Sequence, residues 1–237
     1  ALAQAWAVIS GVATPGRADS AMRSMERELV SEREGIIRLL APPFANTPKD
    51  PGYIKGYVAG VRENGGQYTH AASWVIRAFA EHGQYARATD LLEMVMPVTR
   101  AKTREAADAY KTEPYVIAAD VYGAPPHVGR GGWTWYTGSA GWMFRVAIES
   151  ILGLHFENGD RLILRPRIPD HWPGFKIDCR TPQGATLHID VENPAGRPRR
   201  IDAALFDGRP LPAELASRGI PLPIAGEHSI RIVLGGP

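Results

Sequence analysis

The sequence has a single cysteine, Cys179, among its 237 residues. One thiol forms neither an internal disulfide nor a zinc site built from several cysteines, which is typical of a protein from a reducing compartment. No apolar stretch reaches the ~20 residues that a membrane-spanning helix needs. A phosphate-binding P-loop, a dinucleotide fingerprint, a G-x-S-x-G nucleophile elbow and an HExxH pair are missing as well. The sequence therefore lacks the signatures of the common nucleotide-binding, serine-hydrolase and zinc-protease classes.

An excess of charge of either sign is also absent. Lys and Arg number 27 against 25 Asp and Glu, which gives a formal net charge of +2. Because the basic residues are scattered along the chain, nothing indicates a nucleic-acid or membrane-surface partner. With 44% hydrophobic and 22% charged residues, the composition is that of a globular protein with a buried core. The chain begins at Ala1 without a methionine or a signal segment, so we expect it to be part of a longer protein.

The composition changes near Gly153. All eight Tyr, all five Met and five of the six Trp precede it, whereas 11 of the 20 Pro lie in the 85 residues from Gly153 onward. Before this point, four stretches carry apolar residues at helical spacing, which predicts amphipathic helices over residues 18–29, 71–79, 85–95 and 140–151. Pro97 and Gly153 are expected to end the last two of these helices.

After Gly153 the apolar residues alternate at period two. This pattern predicts strands near residues 162–164, 175–179, 187–191, 205 and 230–234. Asn158-Gly159, Gln183-Gly184 and Asp207-Gly208 are typical turn dipeptides between such strands. We therefore expect a small antiparallel β domain, in the form of a sandwich, to follow the helices.

The first polar segment with functional character runs from Arg62 to His70, just ahead of a predicted helix. Its two adjacent glycines allow the backbone to approach a ligand closely, and Arg62, Glu63 and His70 add charge and a titratable imidazole. A structural interpretation remains open, in which Thr69 caps the helix and His70 bonds a backbone carbonyl.

The second segment runs from Gly129 to Trp142 and combines glycines, hydroxyls and four aromatic residues. Backbone N–H groups and the hydroxyls of Thr137 and Ser139 can converge at the start of the following helix, which favours an anion site. The aromatic rings offer apolar faces on which sugar rings stack. Core packing is the alternative role for the three tryptophans of this segment.

The third segment holds Glu113-Pro114-Tyr115, with His127 further along the chain. Glu113 precedes a proline and is therefore held in an extended conformation, where it can bind a hydroxyl or simply be solvated. For His127 the solvated interpretation is favoured. Glu113 and Asp120 also suggest a carboxylate pair for glycoside chemistry, although spacing along the sequence does not give their separation in space.

These segments together resemble the C-terminal part of glycoside hydrolase family 94. The resemblance is carried by residues 62–70, 113–116 and 129–143, is most specific from Trp133 to Met143, and covers essentially the whole chain. It is strongest toward the branch of cyclic β-1,2-glucan synthases and 1,2-β-oligoglucan phosphorylases. It implies an α+β multidomain fold: residues 1–153 form the C-terminal helices of an (α/α)6 catalytic barrel, and residues 154–237 form a jelly-roll-like antiparallel β domain.

The resemblance also implies an activity. Family members cleave β-glucosidic bonds by inverting phosphorolysis to α-glucose 1-phosphate, with inorganic phosphate as co-substrate and with no cofactor or metal. Position by position, it implies three phosphate-binding residues: His70, Thr137 and Gly138. It implies four substrate-binding residues: Arg62, Glu63, Glu113 and Trp135. A β-glucan and phosphate are the expected partners, without nucleic acid, and a homodimer is compatible with the sequence.

Two departures from the family pattern limit this expectation. The family's catalytic Asp lies in an Asp-Trp-Asn-Asp motif that this sequence does not contain, so the general acid is expected upstream of Ala1 and no catalytic residue is assigned within the chain. We therefore expect the chain by itself to be inactive. Ala118 stands where cellobiose-type members carry Gln, which favours a β-1,2-glucan.

A cytoplasmic location is expected, and in a synthase the parent protein would be anchored in the inner membrane with this domain on the cytoplasmic side. Two other functions remain open. One is a non-catalytic, carbohydrate-binding remnant of such an enzyme, and the other is an (α/α)6 glycoside hydrolase that uses water.

Overall fold

The structure is a computed structural model that describes residues 1–135 and 137–236, apart from the side chain of Thr137. The chain divides into two compact units, Ala1–Val146 and Ala147–Pro237. The family boundary expected near residue 153 stays a prediction. Within the described residues, no helix is both long enough and apolar enough to cross a membrane.

The first unit is mainly helical. Its α-helices are α1 (Leu2–Ile9), α2 (Pro15–Leu29), α3 (Thr69–Glu81), α4 (Tyr85–Val95), α5 (Pro97–Arg100), α6 (Arg104–Tyr110) and α7 (Thr137–Arg145), and a 3₁₀ helix spans Gly52–Gly56. The four predicted helices are confirmed as α2, α3, α4 and α7, the last of which continues into a π-helical stretch, Val146–Ile151. Helix α2 buries the predicted face of Ala18, Met22, Met25 and Leu29.

Two small sheets connect these helices. Strands β1 (Val30–Ser31) and β2 (Ile36–Ile37) form an antiparallel pair. Strands β3 (Gln67–Tyr68), β4 (Asp120–Val121) and β5 (Gly131–Gly132) form an antiparallel sheet with β4 in the centre. Tyr68 lies opposite Asp120, and Asp120 lies opposite Gly132. Strand β3 belongs to the polar segment 62–70, and β5 belongs to the segment 129–142. Strand β4, which pairs with both, follows the third segment at Glu113.

The described part of the second unit begins within the π-helical stretch and contains two sheets and one short α-helix. Its elements are β6 (Leu154–Glu157), β7 (Arg161–Leu164), β8 (Gly174–Arg180), β9 (Thr186–Glu192), β10 (Arg200–Phe206), β11 (Arg209–Leu211), α8 (Ala213–Arg218), β12 (Ile220–Pro221) and β13 (Glu227–Gly235). The strand orders are β11-β10-β13-β9-β8 and β12-β7-β6. Alternate residues of these strands are buried in one core, which includes Leu162, Leu164, Leu187, Ile189 and Ile232.

The predicted strands and turns of this unit are confirmed, but the prediction of a wholly antiparallel β domain is wrong. Strands β9 and β13 run parallel, from Thr186 opposite Glu227 to Glu192 opposite Val233. Alternation at period two identifies the buried face of a strand, but it carries no information on the direction of the neighbouring strand. A parallel pair needs a long crossover, which residues 193–226 supply. The (α/α)6 barrel and the jelly-roll topology stay predictions.

Candidate functional site

The three-stranded sheet of β3, β4 and β5 positions the candidate site. The backbone N–H of Thr69 donates to the carbonyl of Ala119 over 2.9 Å, and the N–H of Ala119 donates to the carbonyl of Trp133 over 2.9 Å. Strand β3 leads directly into α3, and β5 is followed by the aromatic segment that precedes α7. The sheet thus places the segment around His70 and the segment around Trp133 on either side of β4.

Two buried amides hold the first of these segments in shape. The Asn64 side chain, which is fully buried, accepts a hydrogen bond from the Phe44 N–H and donates to the carbonyls of Phe44 and Tyr57. The Gln67 side chain accepts from the Ile37 N–H and donates to Thr69 Oγ1. Because these amides bond within the protein, they serve as scaffold and leave the neighbouring charged side chains to meet a ligand.

His70 and Gly138, two of the predicted phosphate-binding residues, lie next to each other. A Cβ placed on Gly138 would lie 3.8 Å from His70 Nδ1, so the start of α7 approaches the imidazole of α3 closely. The third predicted residue, Thr137, has a side chain outside the described part of the structure. Backbone N–H groups in the first turn of a helix are free to bind an anion, so this corner has the parts of an oxyanion site.

The His70 imidazole lies against aromatic rings. Its ring centroid is 4.6 Å from that of Trp74 and 5.9 Å from that of Trp142. Desolvation by these neighbours lowers the pKa of His70 below its usual value of 6.5. Its Nε2 is buried and has no hydrogen-bond partner among the described residues, so Nε2 does not bond a backbone carbonyl.

Arg62 and Glu63 form a second polar corner. Arg62 adopts a left-handed conformation with φ +48°, and its Nε lies 3.5 Å from Glu63 Oε2. The guanidinium carbon lies 4.9 Å from the centroid of the Trp133 ring and 5.5 Å from that of Tyr57. Burial acts to lower the pKa of Arg62, but attraction to Asp120, Glu63 and Tyr57 outweighs it and raises the pKa. The two side chains are mostly buried, with exposed fractions of 20% and 19%.

Asp120 lies on the central strand β4 and belongs to this corner of the site. The sequence offered it only as one half of a carboxylate pair with Glu113. It is fully buried, and neither carboxylate oxygen has a hydrogen-bond partner of good geometry. Desolvation raises the pKa of Asp120 to about 6, although the Arg62 side chain and backbone N–H act to lower it. Its sequence signal was weak, because an acidic residue in a two-residue strand has no distinctive pattern.

Glu113 and Trp135 contact each other at the surface. Trp135 Nε1 donates a hydrogen bond to Glu113 Oε1 over 3.1 Å, and the ring centroids of Trp135 and Tyr115 are 6.5 Å apart. Trp135 is 67% exposed and Tyr115 is 72% exposed, so these rings form a surface platform and do not pack in the core. Trp142, in contrast, packs edge-on against Trp74 at 5.5 Å. His127 is exposed, in agreement with its solvated interpretation.

The buried polar atoms that lack hydrogen bonds concentrate around this site. They belong to Arg62, Glu63, His70, Trp74 and Asp120, with a few others elsewhere in the described residues. Buried polar groups in folded proteins are normally satisfied, so such a concentration indicates a place where a polar ligand completes the bonding. No group of three or more His, Cys, Asp or Glu side chains in the described residues is arranged to hold a metal ion.

Comparison with known proteins relates this geometry to a family. The description "Glycosyl hydrolase 94 superfamily, catalytic domain" matches residues 1–153. The cyclic beta-(1,2)-glucan synthase NdvB of Rhizobium meliloti (strain 1021) is 47% identical over 199 residues, which are 83% of this chain and 7% of NdvB. An N,N'-diacetylchitobiose phosphorylase of Vibrio furnissii is 31% identical over 230 residues, which are 97% of this chain and 27% of that protein. A solabiose phosphorylase of Paenibacillus borealis is 28% identical over 233 residues, which are 97% and 29% of the two chains.

The chain thus spans less than a third of the length of these relatives. The family match nevertheless covers well over half of the chain and includes His70, Gly138, Arg62, Glu63 and Asp120. The resemblance seen in the sequence is therefore confirmed, and the chain belongs to the glycosyl hydrolase 94 superfamily.

Proposed function

We propose that this chain supplies the phosphate site and part of the donor-sugar site of an enzyme that cleaves β-glucosidic bonds by inverting phosphorolysis, with release of α-glucose 1-phosphate. The observation that carries the proposal is the close approach of the start of α7, at Gly138, to the His70 imidazole. An imidazole whose Nδ1 faces a helix N-terminus suits a tetrahedral oxyanion. Phosphorylases among the relatives of the chain agree with this choice of anion.

In the proposed reaction, a phosphate oxygen attacks the anomeric carbon from below while the glycosidic C–O bond breaks above. A general acid from outside this chain gives its proton to the departing oxygen. Phosphate is already an anion, so no general base is needed to activate it, in contrast to the water of an inverting hydrolase. His70 and the Gly138 backbone N–H hold the phosphate in line with the bond that breaks.

Arg62 and Glu63 are proposed to bind the sugar that is transferred. Glu63 Oε2 is buried without a hydrogen bond, so it has a lone pair to accept one from a ring hydroxyl of the sugar. Trp135 and Tyr115 present exposed rings on which a further sugar unit stacks. The Trp135 indole N–H donates a hydrogen bond to the Glu113 carboxylate, which fixes the orientation of the Trp135 ring.

We propose a β-1,2-linked glucan as the substrate. NdvB, which is named for β-(1,2)-glucan, is 47% identical to this chain, and Ala118 replaces the Gln of cellobiose-type members. The proposal is tested by phosphorolysis of glucose disaccharides that differ only in linkage. We expect the β-1,2 disaccharide to react fastest, and a preference for the β-1,4 disaccharide would contradict the assignment.

The phosphate site is tested by His70→Ala in the full-length protein. We expect phosphate-dependent release of glucose 1-phosphate to fall by roughly 10²–10³-fold, the usual effect of removing one donor from an oxyanion site, while glucan binding persists. The matched control is His171→Ala, because His171 is exposed in the second unit, and it should leave the rate unchanged. Wild-type activity in His70→Ala would refute the assignment.

The same assays separate the two alternative functions. Glucan binding without any turnover by the full-length protein would indicate a carbohydrate-binding remnant. Sugar release that does not depend on phosphate would indicate a hydrolase that uses water. The isolated 237-residue chain should release no product, because the proposed general acid is not among its residues. Phosphate-dependent product from this chain alone would contradict that expectation.

A further inference from the structure

Asp120 is the most completely buried charged side chain near the site. It lies on the central strand β4, between Tyr68 and Gly132 on the neighbouring strands, with no exposed surface. The site of a Cβ on Gly132 would be 2.9 Å from Asp120 Oδ1, so the carboxylate is confined on that side. Burying a carboxylate without hydrogen bonds is unfavourable, and residues held in this way concentrate at functional sites.

Arg62 is the cation that faces this carboxylate. Asp120 contributes the largest attraction that stabilises the charged form of Arg62, ahead of Glu63. Neither carboxylate makes a close, bidentate pair with the guanidinium, because Arg62 Nε is 3.5 Å from Glu63 Oε2 and Arg62 Nη1 is buried without a hydrogen bond. Arg62 is therefore shared between two carboxylates, and full pairing with one of them would weaken its hold on the other.

We propose that Asp120 is a positioning residue that draws the Arg62 guanidinium toward β4 and so leaves Glu63 Oε2 free to accept a hydrogen bond from the donor sugar. The inference rests on the proposed function, because it assigns Glu63 to the sugar. Without the negative charge of Asp120, Arg62 closes on Glu63 and occupies the lone pairs that the sugar hydroxyl needs. Asp120 thus acts through Arg62 and does not touch the substrate.

This arrangement makes sugar binding depend on pH. Burial raises the pKa of Asp120 to about 6, so its charge is present at pH 7.5 and largely absent at pH 5.0. Arg62 and Glu63 act on Asp120 directly, and Tyr68 lies opposite it on β3. The other ionisable groups of the site are Tyr57 beside Arg62, Tyr122 beside Gly132 and His70 beside Gly138. The pKa of Arg62 is raised above its already high usual value, so its charge does not change in this range. Burial lowers the pKa of His70 below its usual value, so its imidazole can also change charge between the two pH values. The experiment therefore includes a His70→Gln background.

The test measures the binding of a β-1,2-linked glucotriose to the full-length protein by calorimetry without phosphate. We expect the wild type to bind about tenfold more tightly at pH 7.5 than at pH 5.0, the size of one hydrogen bond to a charged group. Asp120→Asn should bind with the weaker Kd at both pH values. Asp108→Asn, which replaces an exposed carboxylate on α6, is the matched control and should behave as the wild type.

Arg62→Gln supplies the second arm. If Asp120 acts through Arg62, then Arg62→Gln binds without pH dependence, and adding Asp120→Asn changes its Kd no further. Thermal unfolding shows whether Asp120→Asn folds. If it does not, the comparison of pH dependence between the wild type and Arg62→Gln tests the proposal alone. The pH dependence should survive in the His70→Gln background. Its loss there would assign the effect to His70 and overturn the proposal.

The proposal would be overturned if the wild type did not bind glucotriose, or if Asp120→Asn bound it with wild-type affinity at pH 7.5. It would also be overturned if Asp120→Asn bound glucotriose more weakly than the wild type by the same factor at pH 7.5 and at pH 5.0. The last result would mean that Asp120 has a merely structural role, because the effect of losing it would then not depend on whether its carboxylate is charged. Because phosphate is left out, these measurements are independent of catalysis. A protein that binds glucotriose as expected but releases no glucose 1-phosphate would refute the proposed function and retain the role of Asp120.

Discussion

Individual residues at the site fall into two groups according to whether their polar atoms are bonded. The Asn64 amide is fully buried and makes three hydrogen bonds to backbone groups. Asp120 is equally buried and its carboxylate makes none of good geometry, and His70 Nε2 and Glu63 Oε2 are also without one. A folded protein tolerates such atoms only where other contacts or a ligand offset the cost. The first group holds the loop in place. In the second group, the His70 and Glu63 atoms are proposed to bind a ligand, whereas Asp120 is proposed to act on Arg62.

Two histidines should titrate on opposite sides of the ordinary value. Burial lowers the pKa of His70, whereas the hydrogen bond of His228 Nδ1 to Asp207, with a second to the carbonyl of Ala225, raises the pKa of His228. We expect ring resonances in an NMR titration to give a midpoint below 6.5 for His70 and above 6.5 for His228. His70→Gln and His228→Gln assign the resonances, and the reverse order would contradict the described packing.

These shifts also determine how each histidine affects folding. The folded state holds a proton on His70 less tightly than the unfolded state, so His70 disfavours folding as the pH falls below 6.5. The folded state holds a proton on His228 more tightly. The stabilisation from His228 is therefore complete below the unfolded pKa and is lost as the pH rises through its folded pKa.

At the scale of elements, the periodicity of apolar residues predicts which face of a helix or strand is buried. Helix α3 buries Ala71, Val75, Ala78 and Phe79 at the predicted spacing, and β9 buries Leu187, Ile189 and Val191 in alternation. A side chain's spacing along one element is enough to predict such faces. The same patterns identified the turns before β7 and β11, where Asn158 and Asp207 have positive φ.

Elements that depend on distant partners were not predictable in this way. Strands β3, β4 and β5 have two residues each, which is too short to show any periodicity. Strand β5 is Gly131-Gly132, and glycine is generally rare in strands. The burial of Asp120 and its approach to Arg62 exist only because these strands pair. The resemblance to a known family predicts His70 as a phosphate-binding residue. It does not predict how closely Gly138 approaches the imidazole, because that depends on how distant elements pack.

Strand β5 requires glycine because its neighbours approach closely. A Cβ on Gly131 would lie 2.6 Å from Thr112 Cγ2 and 2.9 Å from Tyr110 Cε2, and Tyr110 is buried. We expect Gly131→Ala to destabilise the first unit by ~1–3 kcal/mol, the usual cost of overpacking. Tryptophan fluorescence during thermal unfolding reports on this unit, since five of the six tryptophans lie before residue 147.

Gly141→Ala is the matched control for this substitution. Gly141 lies in α7 with no atom within 4 Å of an added Cβ, and alanine favours a helix over glycine by up to about 1 kcal/mol. The control should therefore leave the unfolding temperature unchanged or raise it. Equal effects of the two substitutions would show that the neighbours of Gly131 yield without cost.

On the scale of the whole molecule, the chain combines a helical unit that carries the entire candidate site with a β unit that carries none of it. Every residue assigned to phosphate or sugar lies within Ala1–Val146. The β unit has its own continuous core, built from β7, β9, β10 and β13 with α8 packed on it. A core of this kind is what an independently folding domain requires.

We therefore expect residues 147–237 to fold when expressed alone. Trp172 is the single tryptophan of this segment and packs against its core, so its emission should change in one cooperative unfolding transition. Leu187→Ala should lower the stability by about 2–5 kcal/mol, because Leu187 is fully buried. Ile224→Ala should have almost no effect, because Ile224 is 80% exposed. A gradual transition, insensitive to Leu187→Ala, would mean that the core of the β unit does not form without residues 1–146.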